Sequence, residues 1–151
     1  MTTRVLRSPA DIAGLASFLG ARNSYPITVT IVQGDNRSGQ QNRLAQRWFS
    51  DIARQLGDQT HEDVRALCKL EIGVPILRAE NEAFRQSYDG SMKHLPYATK
   101  LETMKRLDIP VTRMMSVKQM TAFMDAMSIR WGGVGIRLTD PEALRYEEEF
   151  A

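Results

Sequence analysis

The chain has 151 residues, 42% of them apolar and 25% charged, the profile of an ordinary globular protein able to bury roughly 70% of its unfolded surface without staples. Net charge is only +2, but residues 139 to 151 set Asp140, Glu142, Glu147, Glu148 and Glu149 against Arg145, which makes an acidic tail on a basic body and favours polyanionic partners for that body. A lone cysteine, Cys68, excludes an internal disulfide and a cysteine-based zinc site, and no window of about 18 apolar residues exists to cross a membrane.

The first residues lack the apolar stretch of a signal peptide, so a soluble, cytoplasmic protein without a membrane partner is expected. Thr3 to Leu6 reads as a short strand, followed by Ser8 as N-cap and Pro9 as first helical residue. Ile12, Leu15, Ala16 and Leu19 then mark an amphipathic helix that packs on a sheet and stops at Gly20. Residues 27 to 33 are β-branched almost throughout and bounded by turn residues, which predicts a second, longer strand. A long helix is expected from about Ser38 to Leu56, its apolar face formed by Leu44, Ala45, Trp48, Phe49, Ile52, Ala53 and Leu56.

A third helix starts near Thr60, with Cys68 as a small core filler among Val64, Leu67 and Ile72, and ends before Gly73-Val74-Pro75. Residues 78 to 97 are turn-rich around Asp89-Gly90 and predict a loop with one helical turn near Glu82 to Ser87. Tyr97 to Leu107 predicts a basic helix that stops before Pro110. Ser116 and Gln119 form a capping-box pattern opening a helix that runs to Gly132-Gly133. A short extended segment follows at residues 136 to 141, and residues 142 to 151 form an acidic tail, helical or frayed. The whole reads as one domain over residues 1 to 151 of α+β class, a short β-sheet packed by three to five helices.

Asn36-Arg37-Ser38-Gly39-Gln40-Gln41-Asn42-Arg43 joins the longer expected strand to the long helix. At 100° per residue, Arg43, Arg47 and Arg54 fall within about 40° of each other, away from much of the apolar face. Guanidinium groups grip phosphate oxygens in pairs and side-chain amides bond base edges, so this stripe is a candidate nucleic-acid surface as well as an ordinary solvated helix face. A second basic group comprises Lys100, Lys105, Arg106, Arg113 and Lys118.

Catalytic patterns are weak. His61 and His94 stand far apart, and there is no GxSxG, GxxxxGK[ST] or GxGxxG. No cofactor and no metal site is expected, and the chain reads as a binding protein, not an enzyme. Two alternatives stay open: a small nuclease that gathers Asp51, Asp63, Asp89 and Asp125 around magnesium, and a protein-interaction module working through its Met-rich helix or acidic tail.

The segment Asn36 to Arg43, continued by Trp48-Phe49-Ser50-Asp51-Ile52-Ala53-Arg54-Gln55, resembles the NinB (lambda Orf-like) family of phage recombination proteins. So do Arg7-Ser8-Pro9-Ala10 near the start, and Thr112 to Met120 leading to Gly135 to Pro141 near the end. The resemblance implies a small α+β homodimer that binds single-stranded DNA. It also implies help in loading a recombinase or annealing protein in the presence of single-stranded-DNA-binding protein. The positions it marks are Arg37, Gln41, Asn42 and Arg43, and the stretch from Gly73 to Leu95 has no counterpart in it.

Overall fold

The computed structural model describes Arg4, residues 6–31 and residues 37–150, with Arg37, Ser38 and Phe150 by backbone alone. Every regular element in it is helical: α1 Asp11–Gly20, α2 Arg37–Leu56, α3 His61–Cys68, α4 Val74–Glu80, α5 Glu82–Ser91, α6 Tyr97–Arg106, α7 Val117–Gly132 and α8 Pro141–Phe150. A π-helical turn at Lys69–Gly73 and a 3₁₀ turn at Thr112–Met114 complete the set. Among the described residues there is no strand, which overturns the α+β expectation and its short sheet. No described helix is long and apolar enough to cross a membrane.

The physical reason lies in the backbone of residues 27 to 31. β-branched side chains favour a pleated, half-buried surface, but a strand persists only where a neighbour takes up its N–H and C=O groups. No such neighbour stands among the described residues, and the segment is irregular and exposed, from 37% at Ile27 to 89% at Ile31. Arg4 and Leu6, the described part of the first expected strand, are irregular too; Thr3, Val5, Val32 and Gln33 lie outside the described residues.

The chain divides into two compact units, Met1–Asn36 and Arg37–Ala151. In the first, α1 forms, but its cap is Ala10 and not Ser8. The Asp11 carboxylate turns back to accept from the N–H groups of Arg7 and Ser8, at 2.8 and 3.2 Å. None of the α1 side chains is buried, so the expected packing on a sheet falls with the sheet. The Phe18 ring carries the guanidinium groups of Arg4 and Arg22 at 4.2 and 4.5 Å.

The second unit has two cores. The first joins α2, α3 and α7 through Ala45, Trp48, Phe49, Ile52, Val64, Cys68, Phe123, Met127 and Trp131, with Phe49 edge-on to Phe123 at 6.5 Å between ring centres. Cys68 is a core filler as expected, and burial pushes its thiol up to about 12. The second core joins the opposite side of α3 to α4, α5 and α6 through Ala66, Leu70, Val74, Leu77, Phe84, Tyr88, Met104 and Val111.

Two departures from expectation explain the second core. Pro75 does not end a helix: the π turn carries α3 into α4 without a break, and Pro75 follows directly in the opening turn of α4. The expected loop at residues 78 to 97 is largely the helix α5, started by Asn81, whose side-chain oxygen accepts from the Phe84 N–H at 3.0 Å. Its buried apolar side chains are only Phe84 and Tyr88, with Met92 just past its end, too sparse for the periodicity to stand out against Asp89-Gly90.

Close approach makes Gly73 necessary. A Cβ there would stand 2.6 Å from Cγ1 of the buried Val111. Gly73→Ala is therefore expected to destabilise the protein by about 1–3 kcal/mol through overpacking, read from the urea midpoint. The double change Gly73→Ala/Val111→Ala should recover part of the loss; no loss in the single variant would refute the packing argument.

The starts expected at Thr60 and Ser116 are both capped, in reciprocal form. The Ser116 hydroxyl accepts from the Gln119 N–H while the Gln119 side chain accepts from the Ser116 N–H, at 3.1 and 3.0 Å. Thr60 and Asp63 do the same at α3. Lys105 of α6 also reaches Asp63 at 2.6 Å, and this contact, with the Thr60 N–H, lowers the Asp63 carboxyl to about 2. Because the folded value lies below the ordinary one near ~4, the stabilisation is complete above about pH 4 and is lost as pH falls towards 2. Chemical denaturation in that window should show a shallower acid-induced loss for Asp63→Asn than for the natural chain; equal slopes would refute the linkage.

Candidate nucleic-acid interface

Amphipathic α2 is the platform. Its first-core face is apolar, its far face carries the arginines, and three polar or amphipathic residues lie along the seam between. At 100° per residue, Trp48, Asp51 and Gln55 fall within about 60° of each other on that border. All three are spent on the segment that follows α7. Asp51 Oδ2 accepts from the Thr139 N–H at 2.7 Å and from its hydroxyl at 2.6 Å. The Trp48 indole N–H donates to the Thr139 carbonyl at 2.8 Å. The Gln55 amide both donates to the Arg137 carbonyl and accepts from its N–H, at 2.7 and 2.8 Å.

This polar clamp is the site's least expected part. Asp51 is 1% exposed, one of two buried charged residues among those described. Its second oxygen faces the guanidinium groups of Arg47 at 3.5 Å and Arg54 at 3.4 Å, so its charge is compensated on one side while it satisfies backbone on the other. The segment from Ile136 to Asp140 is irregular and not a regular extended run, with Ile136 and Leu138 against the first core.

The clamp delivers α8 onto the arginine face. Glu147 takes Arg47 with both oxygens, at 2.9 and 3.3 Å, and Glu148 takes Arg43 at 3.1 Å. Glu147 accordingly raises the pKa of the Arg47 guanidinium, with a smaller part from Asp51. Between the start of α2, Val117 and α8 lies a cleft of about 290 Å³ bordered by Gln40, Gln41, Leu144 and Arg145. Gln41 donates to the Thr121 hydroxyl at 2.9 Å, and that hydroxyl donates on to the Val117 carbonyl. Among the described residues this leaves the Gln41 carbonyl oxygen buried without a donor.

The expected site residues are thus brought together only in part. Arg43, Arg47 and Arg54 share one stretch of α2, with Gln41 half-buried and Asn42 exposed; the side chain of Arg37 lies outside the described residues. The second basic group is carried separately on α6 and beyond, where α6 packs on α3 and the π turn. There Lys105 is tied to Asp63, Arg106 to Glu102 at 2.6 Å, and Arg113 reaches Asp108 at 3.9 Å. Lys100 and Lys118 have no ion-pair partner among the described residues. Tyr88 is buried against Phe84, which closes its ring to base stacking, whereas Tyr97 is exposed.

A further cationic group escaped the reading of the sequence. Lys69, in the π turn, is 2% exposed and donates to Asp108 at 3.1 Å, beside Arg65 on the same carboxylate. Burial lowers the Lys69 pKa against the pull of Asp108, and the two cations hold Asp108 below the usual carboxylate range. Asp108 also takes a left-handed φ of 47° just beyond α6. It joins α3 to the end of α6, a structural role.

Asp51→Ala is expected to cost on the order of 2–3 kcal/mol, because the Thr139 N–H and hydroxyl lose a charged acceptor in a part-buried place. Limited proteolysis should cut the variant faster after residue 136 while α2 and α7 stay protected. Unchanged stability and unchanged cleavage would show that the clamp is not what holds the C-terminal segment. No protein-family model matches the chain, and neither a curated protein nor a solved structure matches it.

Proposed function

We propose that this chain is a non-catalytic protein that binds single-stranded DNA in phage-type homologous recombination, helping to load a recombinase or annealing protein onto a strand that carries single-stranded-DNA-binding protein. One observation carries the nucleic-acid reading: Arg43 and Arg47 lie side by side on α2, 47% and 36% exposed, and are held by exchangeable carboxylates. The two-oxygen grip of Glu147 on Arg47 is the geometry in which a guanidinium takes a phosphate. Lys118 and Lys100, exposed and half-exposed, offer further backbone contacts.

The recombination setting and the homodimer rest on the resemblance of the Arg37 to Arg43 segment to the NinB family. Binding is favoured over magnesium-dependent cleavage because three of the four carboxylates that a nuclease could gather are occupied, while Asp125 stands exposed on α7. Asp51 is committed to Thr139, Asp63 to the start of α3, and Asp89 to Arg78 at 2.8 Å.

Fluorescence anisotropy with a labelled single-stranded oligonucleotide, titrated across salt with and without magnesium, tests the reading. Expected is magnesium-independent binding without cleavage, with a log-log salt slope of about −0.7 for each phosphate contacted. Arg43→Glu/Arg47→Glu should weaken binding about tenfold or more and make that slope shallower. An absence of binding at low salt would overturn the function; unchanged affinity in the double variant would overturn the site.

A further inference from the structure

We infer that α8 is an autoinhibitory segment that occupies the arginine face of α2 in the place of nucleic-acid phosphate and must leave for a strand to bind. The inference rests on the nucleic-acid reading above and adds its regulation.

The contact has the chemistry of a substitute. Glu147 and Glu148 reach Arg47 and Arg43, which stand one helical turn apart on α2, so two anions meet two neighbouring guanidinium groups. The helix around them is acidic, Glu142, Glu147, Glu148 and Glu149 against Arg145. A single strand offers the same arginines a longer row of anions, one phosphate per nucleotide.

The attachment is also built to release. Among the α8 side chains described, Leu144 alone is half-buried and the rest are exposed. The ion pairs that hold it are themselves exposed, with 47% and 40% for Arg43 and Glu148, and pairs of that kind are weak and screened by salt. By contrast, the polar clamp ends at Thr139, so a boundary falls between a firmly held segment and a loosely held helix. Detached, a ten-residue helix is marginal in water. Release would therefore unfold α8 and leave both cores of the second unit untouched.

Two full-length variants separate position from net charge. Glu147→Gln/Glu148→Gln removes the two arginine contacts. Glu142→Gln/Glu149→Gln removes the same charge from the same helix, but Glu142 pairs with Arg145 of α8 itself at 2.7 Å and Glu149 meets no arginine among the described residues. Binding to a labelled single-stranded oligonucleotide is measured at low salt, with circular dichroism to check folding, and amide hydrogen exchange of α8 is followed with and without the oligonucleotide.

The expected result is about three- to tenfold tighter binding for Glu147→Gln/Glu148→Gln, little change for Glu142→Gln/Glu149→Gln, and faster exchange in α8 once the oligonucleotide is bound. A truncation after Asp140, which keeps the clamp, should bind at least as tightly as the first variant and show a steeper salt slope than the full chain, since no tail is left to be released by salt. Equal gains in both glutamine pairs would reduce the effect to net charge and overturn autoinhibition. Equal affinities in all forms, with α8 still protected in the complex, would overturn it while leaving DNA binding intact. No binding by any form, the truncation included, would bring down the nucleic-acid reading as well.

Discussion

A single buried carboxylate holds the segment that joins α7 to α8. Asp51 sits where the apolar face of α2 meets its cationic face, and its two oxygens serve opposite masters: one satisfies the backbone and hydroxyl of Thr139, the other faces two guanidinium groups. A carboxylate is tolerated out of water only when it is hydrogen-bonded and compensated. Here the compensation comes from the candidate binding face itself. The same charge therefore anchors the segment that leads into α8 and helps orient the arginines that α8 covers, which ties the conformation of the tail to the electrostatics of the surface beneath it.

Legibility in the sequence followed the range of the interaction. Caps act over three residues: the box of α7 is legible in Ser116-x-x-Gln119, and at α3 the sequence shows Thr60 as N-cap before acidic residues, one of which, Asp63, completes a box. The apolar face of α2 and its arginine stripe act over one or two turns and were readable from a 3.6-residue period. The contacts that give the stripe its present state join residues 100 and 105 apart, beyond any periodicity. Their sequence signal is the excess of acid in the last thirteen residues beside a basic body, which fits a solvated end, a partner-docking segment and a competitor for the basic surface alike and does not say which arginines it meets.

The largest misreading has the opposite cause. Residues 27 to 33 carry a strong local preference for strand, yet strand formation depends on a partner that local preference cannot supply, and Ile27 to Ile31 lies irregular and exposed. In the sequence Asp51 is one of four scattered carboxylates that magnesium could collect; what singles it out is its place on the seam of α2 beside Trp48 and Gln55. Lys69 gave no signal at all, because a lysine between Cys68 and Leu70 looks solvated until the π turn places it beside Asp108.

That π turn has one more consequence. Residues spaced by four drift about 40° per step around an α-helix, so Val64, Cys68 and Ile72 would slide off the first core just as Ala66, Leu70 and Val74 slid off the second. A wider i→i+5 turn winds less per residue and cancels the drift, which keeps one continuous rod facing two ways. The rod is a party wall: neither core has a boundary of its own on that side. Loosening one removes backing from the other, so the two halves of the helical unit are bound to melt in a single cooperative event, not as separable foldons.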